Sequence, residues 1–77
     1  MFNYTICNMA DDDVFEKQCQ AIEKKVHPLD KESILNDVDG SCIQTYHHNG
    51  NKIVIHNDYA VDAVYIESEI GLEEFFN

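Results

Sequence analysis

CIQTYHHNGNKIVIHN, residues 42 to 57, decides the fold of this chain. Two strand-like runs flank Asn49-Gly50, a dipeptide that accepts positive φ at both central positions of a type I′ turn, whose twist matches that of paired antiparallel strands. A two-residue loop sets the register: His48 faces Asn51, Tyr46 faces Ile53 and Gln44 faces Ile55. Side chains alternate between faces, so Cys42, Tyr46, Ile53 and Ile55 share the side taken as the core. Ile43, Thr45, His47, Lys52, Val54 and His56 share the other.

Downstream, AVDAVYIE (residues 60–67) is rich in β-branched and aromatic residues and reads as a third antiparallel strand. A three-residue loop aligns Val61 with Ile55 and Ala63 with Ile53; a two-residue loop would turn Asp62 into the core. That register places Val54, Val64 and Ile66 on the opposite face among Lys52, His56 and Asp62, a mixed surface suited to an interface. The competing reading is a helix capped by Asp58. Upstream, FNYTICN (2–8) alternates Phe2, Tyr4 and Ile6 against Asn3, Thr5 and Cys7, the pattern of a strand with one buried face.

The period changes at Val14. Phe15, Cys19, Ile22 and Val26 recur at i, i+4, i+7 and i+11, with Val14, Gln18 and Ala21 beside them, so one helical face is apolar. Asp11, Asp12 and Asp13 precede it, where carboxylates cap free N–H groups and complement the positive end of the helix dipole. Lys24, Lys25 and His27 sit at the other end, and Pro28 stops the helix near Val26. Ser68 and Glu69, followed by Leu72, Phe75 and Phe76, suggest a short terminal helix. Within PLDKESILNDVDG (28–40), Ser33 to Val38 form either a turn of helix or a short strand.

These elements predict one domain, residues 1–77, of α+β class: a small antiparallel β-sheet of three to four strands, one amphipathic helix packed on one face, and a short C-terminal helix. At 77 residues a single core buries roughly 60% of the unfolded surface. Eight aromatics and 44% apolar content supply it, so the chain is not a disordered acidic tail. The N-terminus has no basic n-region or apolar stretch of signal-peptide length, and no run of about 18 apolar residues occurs, so a cytoplasmic location is expected.

Motifs for catalysis or cofactors are lacking. DVDGS (37–41) resembles part of a calcium loop, yet Leu35 stands where the first ligand belongs and Tyr46 where the bidentate glutamate belongs. A turn with Gly40 at positive φ accounts for it. His47 and His48 point to opposite faces of one strand, and His56, opposite Ile43, lies roughly 13 Å from His47, so they form no metal site. Cys42 and His56 also fall on opposite faces, which removes a nucleophile and base pair. Cys7, Cys19 and Cys42 are an odd number without CxxC spacing and suggest reduced thiols. No GxSxG, P-loop, HExxH or dinucleotide glycine pattern occurs. No enzymatic activity, cofactor or metal is expected.

Charge is the more informative signal. Fifteen acids oppose five lysines, with no arginine, for a formal charge of −10. The first 26 residues are nearly balanced at −2, and residues 27–77 carry −8. Such a chain repels nucleic acid and anionic membrane and attracts basic proteins. In size, acidity and α+β layout it resembles the mixed class of small phage-borne inhibitors of nucleic-acid-binding defence enzymes, anti-CRISPR and anti-restriction proteins among them; the resemblance is one of general type and attaches to no residue. It implies a protein-binding inhibitor, acting in the host cell cytosol, that covers a basic nucleic-acid-binding surface by charge mimicry. Asp37, Asp39, Asp58, Asp62, Glu67, Glu69, Glu73 and Glu74 would supply the charge. The alternative is an immunity or antitoxin protein neutralising one basic toxin. Either way a monomer or weak homodimer is expected.

Overall fold

In the computed structural model, which describes residues 1–76, the chain runs β1 (Phe2–Cys7), α1 (Asp12–Lys25), β2 (Asp30–Lys31), β3 (Leu35–Asn36), β4 (Cys42–His48), β5 (Asn51–Asp58), β6 (Ala63–Ser68) and a single 3-10 turn (Glu73–Phe75). The strands form one antiparallel sheet in the order β1-β6-β5-β4-β2, with β3 also on β4, and α1 covers one face. The class is α+β, as expected, with six strands instead of three to four.

Asn49 and Gly50 take φ of 51° and 82°, and β4 pairs with β5 in the expected register, Tyr46 opposite Ile53 and Gln44 opposite Ile55. The extra strands answer a need created by this hairpin. Its core side holds Gln44 and His48, whose buried polar atoms require partners. Gln44 Nε2 donates to the Glu32 carbonyl (2.6 Å) and His48 Nδ1 to the Pro28 carbonyl (2.7 Å). The segment after α1 is thereby drawn along β4 as β2 and β3.

α1 matches its sequence pattern. Asp11 is the N-cap, its Oδ1 accepting from the N–H groups of Asp13 (2.9 Å) and Val14 (3.1 Å), and the helix gives way to extended backbone at Val26. Phe15, Cys19, Ile22 and Val26 are buried against Tyr46, Ile53, Ile55, Val64, Ile66 and Leu72. Within this core the Tyr46 hydroxyl donates to Glu23 Oε2 (2.5 Å), which also meets Lys31 Nζ (3.0 Å).

Three expectations are corrected. First, β6 pairs Ile55 with Ile66 and Asn57 with Val64, not Ile55 with Val61. The slip of five residues is odd and exchanges the faces. Val64 and Ile66 are core residues, Val61 is 65% exposed, and the mixed outer patch expected around Val64 and Ile66 does not form. The cause is a longer turn: Asp58 Oδ1 accepts from Ala60 N (2.9 Å) and Val61 N (3.2 Å), and Asp62 closes the turn at φ 57°. The capping chemistry of Asp58 is real but supports one turn and no helix. Second, the β1 ladder shifts between Thr5 and Cys7, which brings Cys7 opposite Val64 and leaves Ile6 exposed. Third, Ser68 caps no helix. It ends β6, fully buried, with its Oγ donating to the Ile70 carbonyl (2.7 Å), and only the 3-10 turn follows.

The second sheet face has no covering layer among the described residues. There His56 stacks on Tyr65 (centroids 4.4 Å apart, planes 7° apart), and its Nε2 lies 2.8 Å from Glu67 Oε1, out of line for a hydrogen bond. His47 meets Glu32 on the same face.

Two outcomes follow from this packing. A Cβ at Gly50 would meet nothing within 4 Å, so Gly50→Ala is expected to destabilise through backbone strain alone, by about 1–2 kcal/mol in urea unfolding. Burial raises the Cys19 thiol from 9.0 to about 11, and burial with the Glu23 contact raises the Tyr46 phenol well above its ordinary 10.0. Both groups hold protons that the unfolded chain releases, so this stability is complete below pH 9 and falls as pH rises beyond 9 and then 10; thermal melts from pH 7 to 11 should show the decline.

An aspartate-rich end as candidate binding surface

Asn57 closes β5 on the core side, and its side chain is completely buried. Its Oδ1 accepts from the Asp11 N–H (3.0 Å), and its Nδ2 donates to Asp12 Oδ1 (2.8 Å). One amide thus ties the start of α1 to the end of β5. The Tyr59 hydroxyl also donates to Asp12 Oδ1 (2.9 Å), Tyr59 N donates to Ser41 Oγ (2.9 Å), and Ala10 N donates to Asp62 Oδ1 (2.9 Å). These contacts join three turns into one end of the molecule.

That end carries seven aspartates: Asp11, Asp12 and Asp13 from the start of α1, Asp37 and Asp39 from the β3–β4 turn, and Asp58 and Asp62 from the β5–β6 turn. Most also order their own backbone. Asp37 Oδ1 accepts from Val38 N (2.7 Å) and Asp39 Oδ1 from Ser41 N (2.9 Å), in the tight turn that Gly40 permits at φ 92°. The Ser41 N–H holds the Asp39 carboxyl below its ordinary range, which keeps it ionised. A cleft of about 360 Å³ opens here, lined by Asn36, Asp37, Asp39, Cys42, His56 and Asp58 among others. Among the described residues no cluster of three or more histidine, cysteine or acidic side chains is placed to hold a metal ion. The three cysteines are free thiols.

The eight acids singled out from the sequence do not form one patch. Asp37, Asp39, Asp58 and Asp62 come together at this end. Glu67 lies on the uncovered sheet face opposite Asn3 and Val54. Glu69, just past β6, accepts from Lys52 N at the hairpin end (2.5 Å). Glu73 and Glu74 belong to the 3-10 turn, where Glu73 Oε1 accepts from the Tyr4 hydroxyl (2.9 Å). Conversely, Asp11, Asp12 and Asp13, assigned above to helix capping alone, join the surface. The signal for this was present: Asn57 shares the parity of Ile53 and Ile55, so its amide is buried and needs partners, which the first turn of a helix offers.

Four of the five lysines lie elsewhere, and Lys17 alone stands beside the aspartates. Lys24 and Lys25 end α1, Lys31 pairs with Tyr46 across the strands and Lys52 with His47, and Lys17 is one turn inside the helix from Asp13. The 14 residues of α1 span about 21 Å, well beyond a screening length of about 8 Å at physiological salt, so lysines at its far end do not neutralise the aspartates. Among the described residues no helix is long and apolar enough to cross a membrane. No protein-family model matches this chain, and comparison with curated proteins and with solved structures found no match.

Replacing Asn57 by Ala strands the Asp11 N–H and leaves a buried void, with an expected loss of about 2–3 kcal/mol in urea unfolding. Amide exchange should accelerate in the first turn of α1 more than in its last.

Proposed function

We propose that this chain is a small acidic binding inhibitor that occupies a Lys/Arg-rich nucleic-acid-binding surface of a protein, in the manner of the anti-CRISPR and anti-restriction class. What supports the reading is the gathering of seven aspartates from three separate segments at one end, with no lysine in the turns that carry them. Carboxylates fixed by their own backbone hydrogen bonds present charge without ordering long side chains on binding, which lowers the entropic cost of association. Duplex DNA displays one charge per roughly 1.7 Å of axis, and a groove built for that density accepts a compact acidic end. Steering between opposite charges speeds encounter and makes it salt-sensitive.

The test uses amide variants, because asparagine keeps an acceptor oxygen for each turn while removing the charge. The immobilised chain is expected to retain a basic nucleic-acid-binding protein from bacterial lysate and to release it as salt rises or as duplex DNA is added. Joint D13N, D37N, D39N and D58N substitution should reduce retention at least tenfold; E67Q, E69Q, E73Q and E74Q together should change it little. Retention that ignores salt or the aspartate variants would overturn the proposal. Retention of one basic toxin that DNA does not displace would favour the immunity reading in its place.

A further inference from the structure

We infer that the cleft between the β3–β4 and β5–β6 turns is a socket for one arginine side chain of a basic partner protein. This rests on the reading proposed above and deepens it, by naming the residue type that the partner's surface presents.

The walls come from the uncovered sheet face. Leu35, Ile43, His56 and Tyr65 stand opposite one another on β3, β4, β5 and β6, so they form one cross-strand row. Tyr65 covers the β6 side of the His56 ring at 4.4 Å between centroids, and the cleft opens on the β4 side, toward Ile43. One flat aromatic face therefore borders the cleft, with Leu35, Ile43 and Ala60 as apolar lining. Asp37 and Asp39 enter from one turn and Asp58 from the other, and no lysine lines the space. Its volume of about 360 Å³ lies at the small end of the range for ligand sites, roughly 300–1,000 Å³, and suits one side chain rather than a longer segment.

This combination separates arginine from lysine. An ammonium is a compact, strongly hydrated charge, and carboxylates by themselves serve it equally well. A guanidinium is planar and weakly hydrated, stacks on aromatic faces and carries five N–H donors in a fixed fork. Here the imidazole supplies the face, the apolar lining takes the methylene stem, and carboxylates from two separate turns receive donors on different sides of the fork. Acceptor positions remain for it: an ionised carboxylate takes about four hydrogen bonds, and Asp37 meets Val38 N while Asp58 meets Ala60 N, Val61 N and the Tyr65 hydroxyl. No ion pair has to break. Among the described residues the salt bridges join Glu23 to Lys31, Glu32 to His47 and Glu67 to His56, and none uses an aspartate. Glu67 also offsets any charge on the His56 ring.

Amide NMR spectra of the full chain, titrated with N-acetyl-arginine amide and with N-acetyl-lysine amide, test the socket. The arginine probe is expected to shift the signals of residues 37–43 and 56–60, and to saturate at a concentration at least fivefold below the lysine probe. D37N/D58N should weaken the arginine probe at least tenfold, and E73Q/E74Q should leave it unchanged. H56L, which keeps bulk without a flat ring, should bring the two probes within twofold of each other. Should D58N cost the spectrum its dispersion, D37N alone should still weaken the arginine probe at least threefold. Equal affinity for the two probes, shifts spread equally over residues 67–74, or binding unmoved by the aspartate variants would overturn the inference. Capture of a basic protein by a chain that ignores the arginine probe removes the socket and keeps the reading above; a bound probe without such capture does the reverse.

Discussion

The buried amide of Asn57 is the constraint on which the arrangement of this protein depends. A single helix over a sheet is held mainly by apolar contact, which is nearly indifferent to small rotations and shifts of the helix. Two directional hydrogen bonds from one fully buried side chain remove that freedom, because misalignment would leave the amide or the Asp11 N–H without a partner in a water-free site. The start of α1 is therefore held at the β5–β6 end. The helix dipole then points its positive end at the aspartates and offsets part of their mutual repulsion.

The same carboxylates serve structure and surface. Asp11, Asp37, Asp39, Asp58 and Asp62 each accept a backbone N–H, so the turns that gather the charge are ordered by the groups that carry it. Opposing this is the self-repulsion of a domain with net charge −10, which the fold contains by keeping three of its five lysines on α1 and the other two near the hairpin. The glutamates follow another logic. Glu23, Glu67, Glu69 and Glu73 each meet a nearby side chain or backbone group of the sheet or its edges. Acidity by itself therefore does not define the candidate surface; the turns that collect aspartates do.

Much of the fold was legible in the sequence wherever one local rule acted alone. The spacing of Phe15, Cys19, Ile22 and Val26 with Asp11 before them and Pro28 after them specified α1, and Asn49-Gly50 specified the hairpin and its register. Legibility ended where two local rules competed. At Asp58 a loop-length argument favoured a strand with Val61 in the core, and an aspartate cap favoured a helix; the strand forms, and the cap holds a longer turn ahead of it. That turn prevailed because it satisfies two N–H groups and seats Val64 and Ile66, which together bury more apolar surface than Val61 and Ala63. A slip of odd length then reversed both faces of β6, and the outer-face patch read from the wrong parity disappeared with it.

The sequence by itself determined the amphipathic helix, the central hairpin, the α+β class and the size of the charge surplus, because each is set by spacing and composition over a few neighbouring residues. Only the tertiary structure decided which acids stand together. Asp11–Asp13, Asp37, Asp39, Asp58 and Asp62 are far apart in the chain and meet because the buried amide of Asn57, with the more exposed Tyr59 and Ser41 hydrogen-bonding beside it, must find partners across elements. That requirement is non-local: it exists only once the helix and sheet have excluded water from the space between them.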